Sequence, residues 1–241
     1  MPTPNPNCQA SALRIGGLQP LTTLDYPDHL ACVVFCQGCA WQCRYCHNPE
    51  LIPRTPDPGL PWRDVLDLLD RRQGLLQAVV FSGGEATLQP ALPAAMRAVR
   101  ERGFKVGLHT AGIRPGSLNR VLPYCDWVGM DVKALEEDCQ LITGVRGSGR
   151  ANWASLELLL ASGVDHECRT TVHWGLFDCQ QVQRLGERLA GAGVRRFVVQ
   201  LARAGRMLDA RLGEVGRPAE VEGVWRYLGQ LFEGFEVREV A

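Results

Sequence analysis

Phe35-Cys36-Gln37-Gly38-Cys39-Ala40-Trp41-Gln42-Cys43-Arg44-Tyr45-Cys46-His47-Asn48-Pro49-Glu50 follows a short apolar run, Ala31 to Phe35, and holds four of the chain's ten cysteines within eleven positions. Thiolates two or three residues apart reach one soft centre because a tight turn brings their sulfurs together, so both zinc and an iron–sulfur cluster suit the stretch. A closed zinc site would take Cys36, Cys39, Cys43 and Cys46, although such sites usually come as two well-separated pairs. The other reading takes only Cys39, Cys43 and Cys46. Three thiolates on a cube of four irons leave one iron open, as catalytic metal sites do.

The remaining cysteines, Cys8, Cys32, Cys125, Cys139, Cys168 and Cys179, share no ligand spacing and read as buried, inert thiols. The chain has 241 residues, 46% hydrophobic and 22% charged, which suits a folded globular protein and excludes disorder as its main state. Lys+Arg 26 balances Asp+Glu 26, so no global field draws it to nucleic acid or to an anionic membrane. Met1 to Gln9 lacks the pattern of a signal peptide, and no apolar run approaches the roughly 20 residues of a spanning helix. The expected compartment is the cytoplasm, where disulfides are rare.

Outward from the cysteine stretch, β-branched runs alternate with helix-period segments. Strands are expected at Ala31 to Phe35, Gln77 to Phe81, Phe104 to His109, Asp126 to Asp131, His166 to His173, Arg196 to Leu201 and Phe235 to Glu239. Helices are expected at Pro61 to Arg72, Pro90 to Arg102, Pro115 to Leu122, Asn152 to Ser162, Asp178 to Ala190 and Pro218 to Phe232, with Asn152 and Asp178 as N-caps. About six βα units with short connections require a parallel sheet, either an open partial barrel or a doubly wound sheet. No linker separates two cores; residues 1–14 read as a tail and 15–241 as one α/β domain.

Ligand sites in such folds gather at the carboxyl ends of the strands. There stand Ser82-Gly83-Gly84-Glu85, His109-Thr110, Asp131-Val132-Lys133 and Thr171-Val172-His173. The paired glycines let a ligand approach the backbone, and the Glu85 carboxylate suits a cationic amine. Gly129, Asp131 and Lys133 share one strand face, as do Arg169, Thr171 and His173, and a polar face on a parallel strand suggests a wet lumen.

The cysteine stretch with Gly83-Gly84-Glu85 resembles the radical S-adenosylmethionine (SAM) superfamily. The continuation His47-Asn48-Pro49-Glu50-Leu51 is similar to glycyl-radical-enzyme activating enzymes, above all the anaerobic ribonucleoside-triphosphate reductase activating proteins. The resemblance implies a partial (βα)6 barrel with a [4Fe–4S] cluster on Cys39, Cys43 and Cys46, and SAM on the fourth iron through its amino and carboxylate groups. It implies reductive SAM cleavage to methionine and a 5′-deoxyadenosyl radical, which takes a hydrogen from a glycine of the partner enzyme. A flavodoxin- or ferredoxin-type protein would donate the electron. By the same resemblance Gly83, Gly84 and Glu85 receive the SAM amino group, Asp131 and Lys133 lie near SAM and the target glycine loop, Arg169 lies near the SAM carboxylate, and Tyr45 packs beside the adenine. Thr110, His109 and His173 complete the expected cofactor site, with Lys133 joining the cysteines as a catalytic residue, and Cys36 is not a ligand.

Two departures stand out. Related activases carry Asp-Gly-Pro-Gly where this chain has Asp25-Tyr26-Pro27-Asp28, and an acidic residue where it has His109. Two other functions compete: a superfamily member acting on a small molecule or nucleobase, of the deazapurine-forming type, and a non-enzymatic zinc or iron–sulfur module using all four clustered cysteines.

Overall fold

Ala31–Cys36 (β2) and Ala78–Gly83 (β3) are runs of small and β-branched residues that lie side by side in parallel, with Val33 opposite Val80 and Cys36 opposite Gly83. The computed structural model describes residues 9–55, 59–202, 205 and 207–239; Cys8 and most of the expected tail lie outside them. The sheet continues in parallel through Lys105–Thr110 (β4), Trp127–Asp131 (β5), Asp165–Val172 (β6), Arg196–Leu201 (β7) and Gly234–Glu239 (β8). Ile15–Thr22 (β1) pairs antiparallel on β2, so eight strands run in chain order from β1 to β8. The two edges, β1 and β8, are not paired with each other, which makes this an open barrel.

Helices Trp62–Arg71 (α1), Leu92–Arg100 (α2), Pro115–Val121 (α3), Cys139–Thr143 (α4), Ser148–Ser162 (α5), Cys179–Gly191 (α6) and Val221–Leu231 (α7) follow the strands and contribute buried residues to one large core. Alternation sorts each strand. Val79, Phe81, Val106, Leu108, Val128, Met130 and Cys168 are fully buried in the large core with the helices, whereas Ala31, Val33, Ala78, Val80 and Trp127 form a smaller cluster on the other face with Tyr26. Cys32, Cys125, Cys139, Cys168 and Cys179 are free and buried, as expected of inert thiols.

The structure departs from the sequence reading in four places. β1 was not expected, because Gly16, Gly17 and Pro20 break its pattern; as an edge strand with irregular register it tolerates them. Residues 9–14 do not hang free as a tail, since Ala10 and Leu13 are buried in the core. The short helix α4 was also missed. Asn152 is not an N-cap: α5 begins at Ser148, behind Gly147, and Asn152 sits inside it. Asp178 does cap α6, with its side chain accepting from Gln181 N and Gln181 reaching back to form a capping box.

Candidate active site

Every βα loop of the site leaves the carboxyl end of a strand, and the cysteine loop leaves β2. Its backbone is held from three directions. Gly38 N and Cys39 N donate to Leu51 O and Ile52 O at 2.8 and 3.0 Å, and Gln42 N and Arg44 N donate to Thr143 O and Ile142 O at 3.0 and 2.9 Å. From the segment after β7, Leu208 N and Asp209 N donate to Cys46 O and Arg44 O at 3.0 and 2.9 Å. Buried Gln37 adds two bonds of 2.8 Å to Glu50 O and Pro53 O. The loop is thus tied to three neighbouring segments by its own backbone.

Cys39, Cys43 and Cys46 line one pocket, a cavity of about 190 Å³. Cys36 does not line it; it is fully buried at the end of β2, and burial pushes its thiol up to about 12. Cys36 thus stands apart from the three thiols that share the pocket. Among the described residues no three His, Cys, Asp or Glu side chains close on a single-ion point. Burial also raises the Cys39 thiol to about 12 and the Cys43 thiol above its ordinary value, so both remain protonated until a metal displaces the proton.

Across the pocket stand Ser82, Gly83, Gly84, Glu85, His109, Thr110, Asp131, Lys133 and Thr171. The sequence reading had the two glycines making room for a ligand; the room they make is filled by the cysteine loop. A Cβ on Gly83, whose φ is +108°, would lie 2.5 Å from Cys36 backbone atoms, and one on Gly84 would lie 2.5 Å from Gly38 O. Gly84 N and Glu85 N donate to Cys36 O and Gly38 O at 2.8 and 2.9 Å, strapping the turn to the loop. The Glu85 carboxylate is likewise committed within the protein. It accepts from Thr87 Oγ1 (2.5 Å), Thr110 Oγ1 (2.7 Å), Ala111 N (3.0 Å) and Thr87 N (3.2 Å), and so ties β3 to β4.

Asp131 sits between two cations, 3.0 Å from Lys133 Nζ and 3.0 Å from Arg169 Nε. Burial works against its charge, but Lys133 and Arg169 outweigh burial and hold the carboxyl down at about 2. For Lys133 burial again opposes the charge, and Asp131, Tyr45 and Cys43 keep it well above its ordinary value. Its Nζ stands 5.8 Å from the Tyr45 ring centroid, a cation–π contact. Arg169 does not line the pocket; it is bonded to Asp131 and to Gly129 O and acts from behind. The Tyr45 hydroxyl is buried with no hydrogen-bond partner.

His109 is anchored to the Asp25–Asp28 segment through a backbone carbonyl. His109 Nε2 donates to Asp25 O at 2.9 Å, and Tyr26 fills the space beside Gly107, where a Cβ would come within 2.9 Å of its ring. The carbonyl fixes the tautomer, leaving Nδ1 as an acceptor 3.4 Å from Ser82 Oγ. Burial, then Arg169, pulls the imidazole down to about 3 against the opposing pull of Asp131, so it is neutral at physiological pH.

His173 is not brought to this pocket. The strand ends at Val172, and His173 accepts from Gly175 N at 3.1 Å and donates from Nε2 to Gly213 O at 3.1 Å, beside a second cavity with Trp174 and Leu201. It pins the segment after β7. The sequence reading placed Ser82 at this strand end without giving it a role, gave Trp41 none, and missed pocket residue Ile113. Ser82 was detectable as the lumen-face position in phase with Val80; Ile113, beyond the end of β4, carried no such signal.

The Radical SAM superfamily profile matches residues 33–178, which span the cysteine loop and the strand ends just described. The chain belongs to the radical SAM superfamily. A glycyl-radical enzyme activating enzyme of Methanocaldococcus jannaschii is 28% identical over 180 residues, 72% of this chain and 74% of that protein. The pyruvate formate-lyase-activating enzyme of Clostridium pasteurianum is 34% identical over 140 residues, 54% and 57% of the two chains. Among solved structures, Streptococcus suis SuiB bound to S-adenosylmethionine superposes with a TM-score of 0.63 at 16% identity, covering 84% of this chain and 48% of its own, so this chain spans about half of SuiB.

As a radical SAM protein it is an enzyme with a [4Fe–4S] cluster and SAM as cofactors. The residues present fit both. Three soft thiols open together into the pocket, an unpartnered phenol is buried at its edge, and the opposite wall offers an acceptor imidazole, a carboxylate and an ammonium.

Proposed function

We propose that this protein is a glycyl-radical-enzyme activase in which Cys39, Cys43 and Cys46 hold the cluster and the polar strand ends of β3 to β6 hold SAM. The partner is anaerobic ribonucleoside-triphosphate reductase, and a flavodoxin- or ferredoxin-type protein supplies the electron. The observation that carries the reading is the opening of three thiols, without Cys36, into one pocket walled by Glu85, His109, Thr110, Asp131 and Lys133. The names of the M. jannaschii and C. pasteurianum relatives support the activase class, and His47-Asn48-Pro49-Glu50 supports the reductase as partner.

With Cys39, Cys43 and Cys46 holding the cluster and the strand-end residues holding SAM, the bound pair would supply one-electron chemistry for taking a hydrogen atom from a glycine of the partner. The chain's own residues prepare that event. Lys133 and Asp131 present a charge pair whose ionisation is fixed across the physiological range. His109 presents a neutral nitrogen to a ligand hydroxyl, and Tyr45 leaves its hydroxyl for a ligand to satisfy. The half-buried cysteine loop shields the cluster side of the pocket from water. No helix among the described residues is long and apolar enough to cross a membrane.

The test mixes the reduced, reconstituted protein with SAM and either anaerobic ribonucleoside-triphosphate reductase or pyruvate formate-lyase, without oxygen, and records electron paramagnetic resonance. A glycine-centred doublet on the reductase is expected. A doublet only on pyruvate formate-lyase would overturn the partner, and SAM cleavage with no doublet on either would favour a small-molecule substrate.

A further inference from the structure

Asn152 is fully buried in the second turn of α5, a position where a short amide disfavours helix and leaves polar atoms to be satisfied. Its Oδ1 accepts from Lys133 N at 2.9 Å, and its Nδ2 donates to Ala111 O at 2.8 Å and to Asp131 O at 2.9 Å. The register of β4 and β5 ends at Thr110 opposite Met130, so one side chain supplies the next rung where the ladder has stopped. The preceding peptide, Thr110–Ala111, is held by Glu85 Oε2, which accepts from Ala111 N at 3.0 Å. A continuous path therefore runs from the Gly83-Gly84-Glu85 turn through Ala111 and Asn152 to Asp131 and Lys133. Asn152 itself does not line the pocket, while Glu85, Ala111, Asp131 and Lys133 do.

We propose that Asn152 is a positioning residue for the SAM pocket. Its amide clasps the diverging ends of β4 and β5 and sets Lys133 and Asp131 at a fixed place relative to the Thr110–Ala111 wall. The inference rests on the pocket reading given above. Nothing else among the described side chains bonds to both strand ends at this point. A substitution that empties the position lets them part, and the effect reaches SAM through Lys133, whose backbone N–H Asn152 Oδ1 holds.

The experiment measures SAM dissociation constants by titration calorimetry on the reconstituted holoenzyme for wild type, Asn152→Ala, Lys133→Ala and the double variant, with iron content and melting temperature for each. Asn152→Ala is expected to keep its cluster, because the cysteine loop does not bond to Asn152, and to weaken SAM by about tenfold, with the double variant no weaker than Lys133→Ala alone within about twofold. Wild-type affinity in Asn152→Ala, or losses that multiply in the double variant, would overturn the proposal. Should Asn152→Ala fail to fold, Asn152→Asp goes through the same cycle: it keeps the acceptor for Lys133 N and turns an oxygen toward Ala111 O and Asp131 O. If neither variant folds, Asn152 serves the fold alone and the proposal fails. Wild-type protein that does not bind SAM would instead contradict the pocket reading.

Discussion

His109 shows how one residue can be read in sequence yet misjudged without its neighbours. Its place at the end of β4 made it a site candidate, and it does line the pocket. What the sequence could not show is that the backbone carbonyl of Asp25, 84 positions away, accepts from it, so that His109 is anchored to the segment that carries the other departure. The consequence is measurable as acid sensitivity. The folded imidazole titrates at about 3 against an ordinary 6.5, so between those values the unfolded chain carries a proton that the folded chain does not. Stability then falls as pH is lowered from 6.5 toward 3, by at most about 1.4 kcal/mol per pH unit. His109→Gln, which keeps a donor for Asp25 O, is expected to flatten that limb. Urea unfolding at pH 7 and pH 5 checks it: an unchanged difference between wild type and variant would show that His109 is not the group responsible. The same limit explains His173. Its strand position was legible, but the strand stops one residue earlier, and its ring is satisfied by Gly175 and Gly213.

At the scale of elements, the parallel strands were legible because each is a run of apolar, β-branched residues followed by a helix-period segment. β1 and α4 were not. β1 carries two glycines and a proline and depends on β2 for its order, and α4 is five residues long, too short to show a period. The cysteine motif was legible from spacing alone, but the role of the glycines was not, since it depends on two loops meeting. Gly84 makes this testable. A methyl group there would press on the Gly38 carbonyl at 2.5 Å, backbone against backbone, so neither side yields cheaply. Gly84→Ala is expected to lower the melting temperature by several degrees and reduce iron uptake, because the turn braces the cysteine loop. Gly223→Ala, in α7 with nothing within 4 Å of the new atom, should be neutral or stabilise by up to about 1 kcal/mol. Equal iron content and melting temperature in the two variants would remove the bracing role.

For the molecule as a whole, the open sheet concentrates its charge on the concave side and leaves its convex side apolar under the helices. Glu167 is buried there with Arg238 at 2.8 Å, and Asp131 with Arg169 at 3.0 Å, so opposite charges cancel within the lumen as they do across the sequence. A lumen that offers both carboxylates and cations beside one thiol-lined end suits a cofactor with ammonium, sulfonium and carboxylate groups held against a metal cluster. The most direct measurement is iron and acid-labile sulfide content after anaerobic reconstitution of wild type, Cys36→Ala and Cys43→Ala, with paramagnetic resonance of the reduced cluster before and after adding SAM. About four irons and four sulfides per chain are expected in wild type and Cys36→Ala, with a spectrum that SAM shifts, and no intact cluster is expected in Cys43→Ala. Colourless wild-type protein holding a single zinc, or cluster loss in Cys36→Ala, would contradict the account.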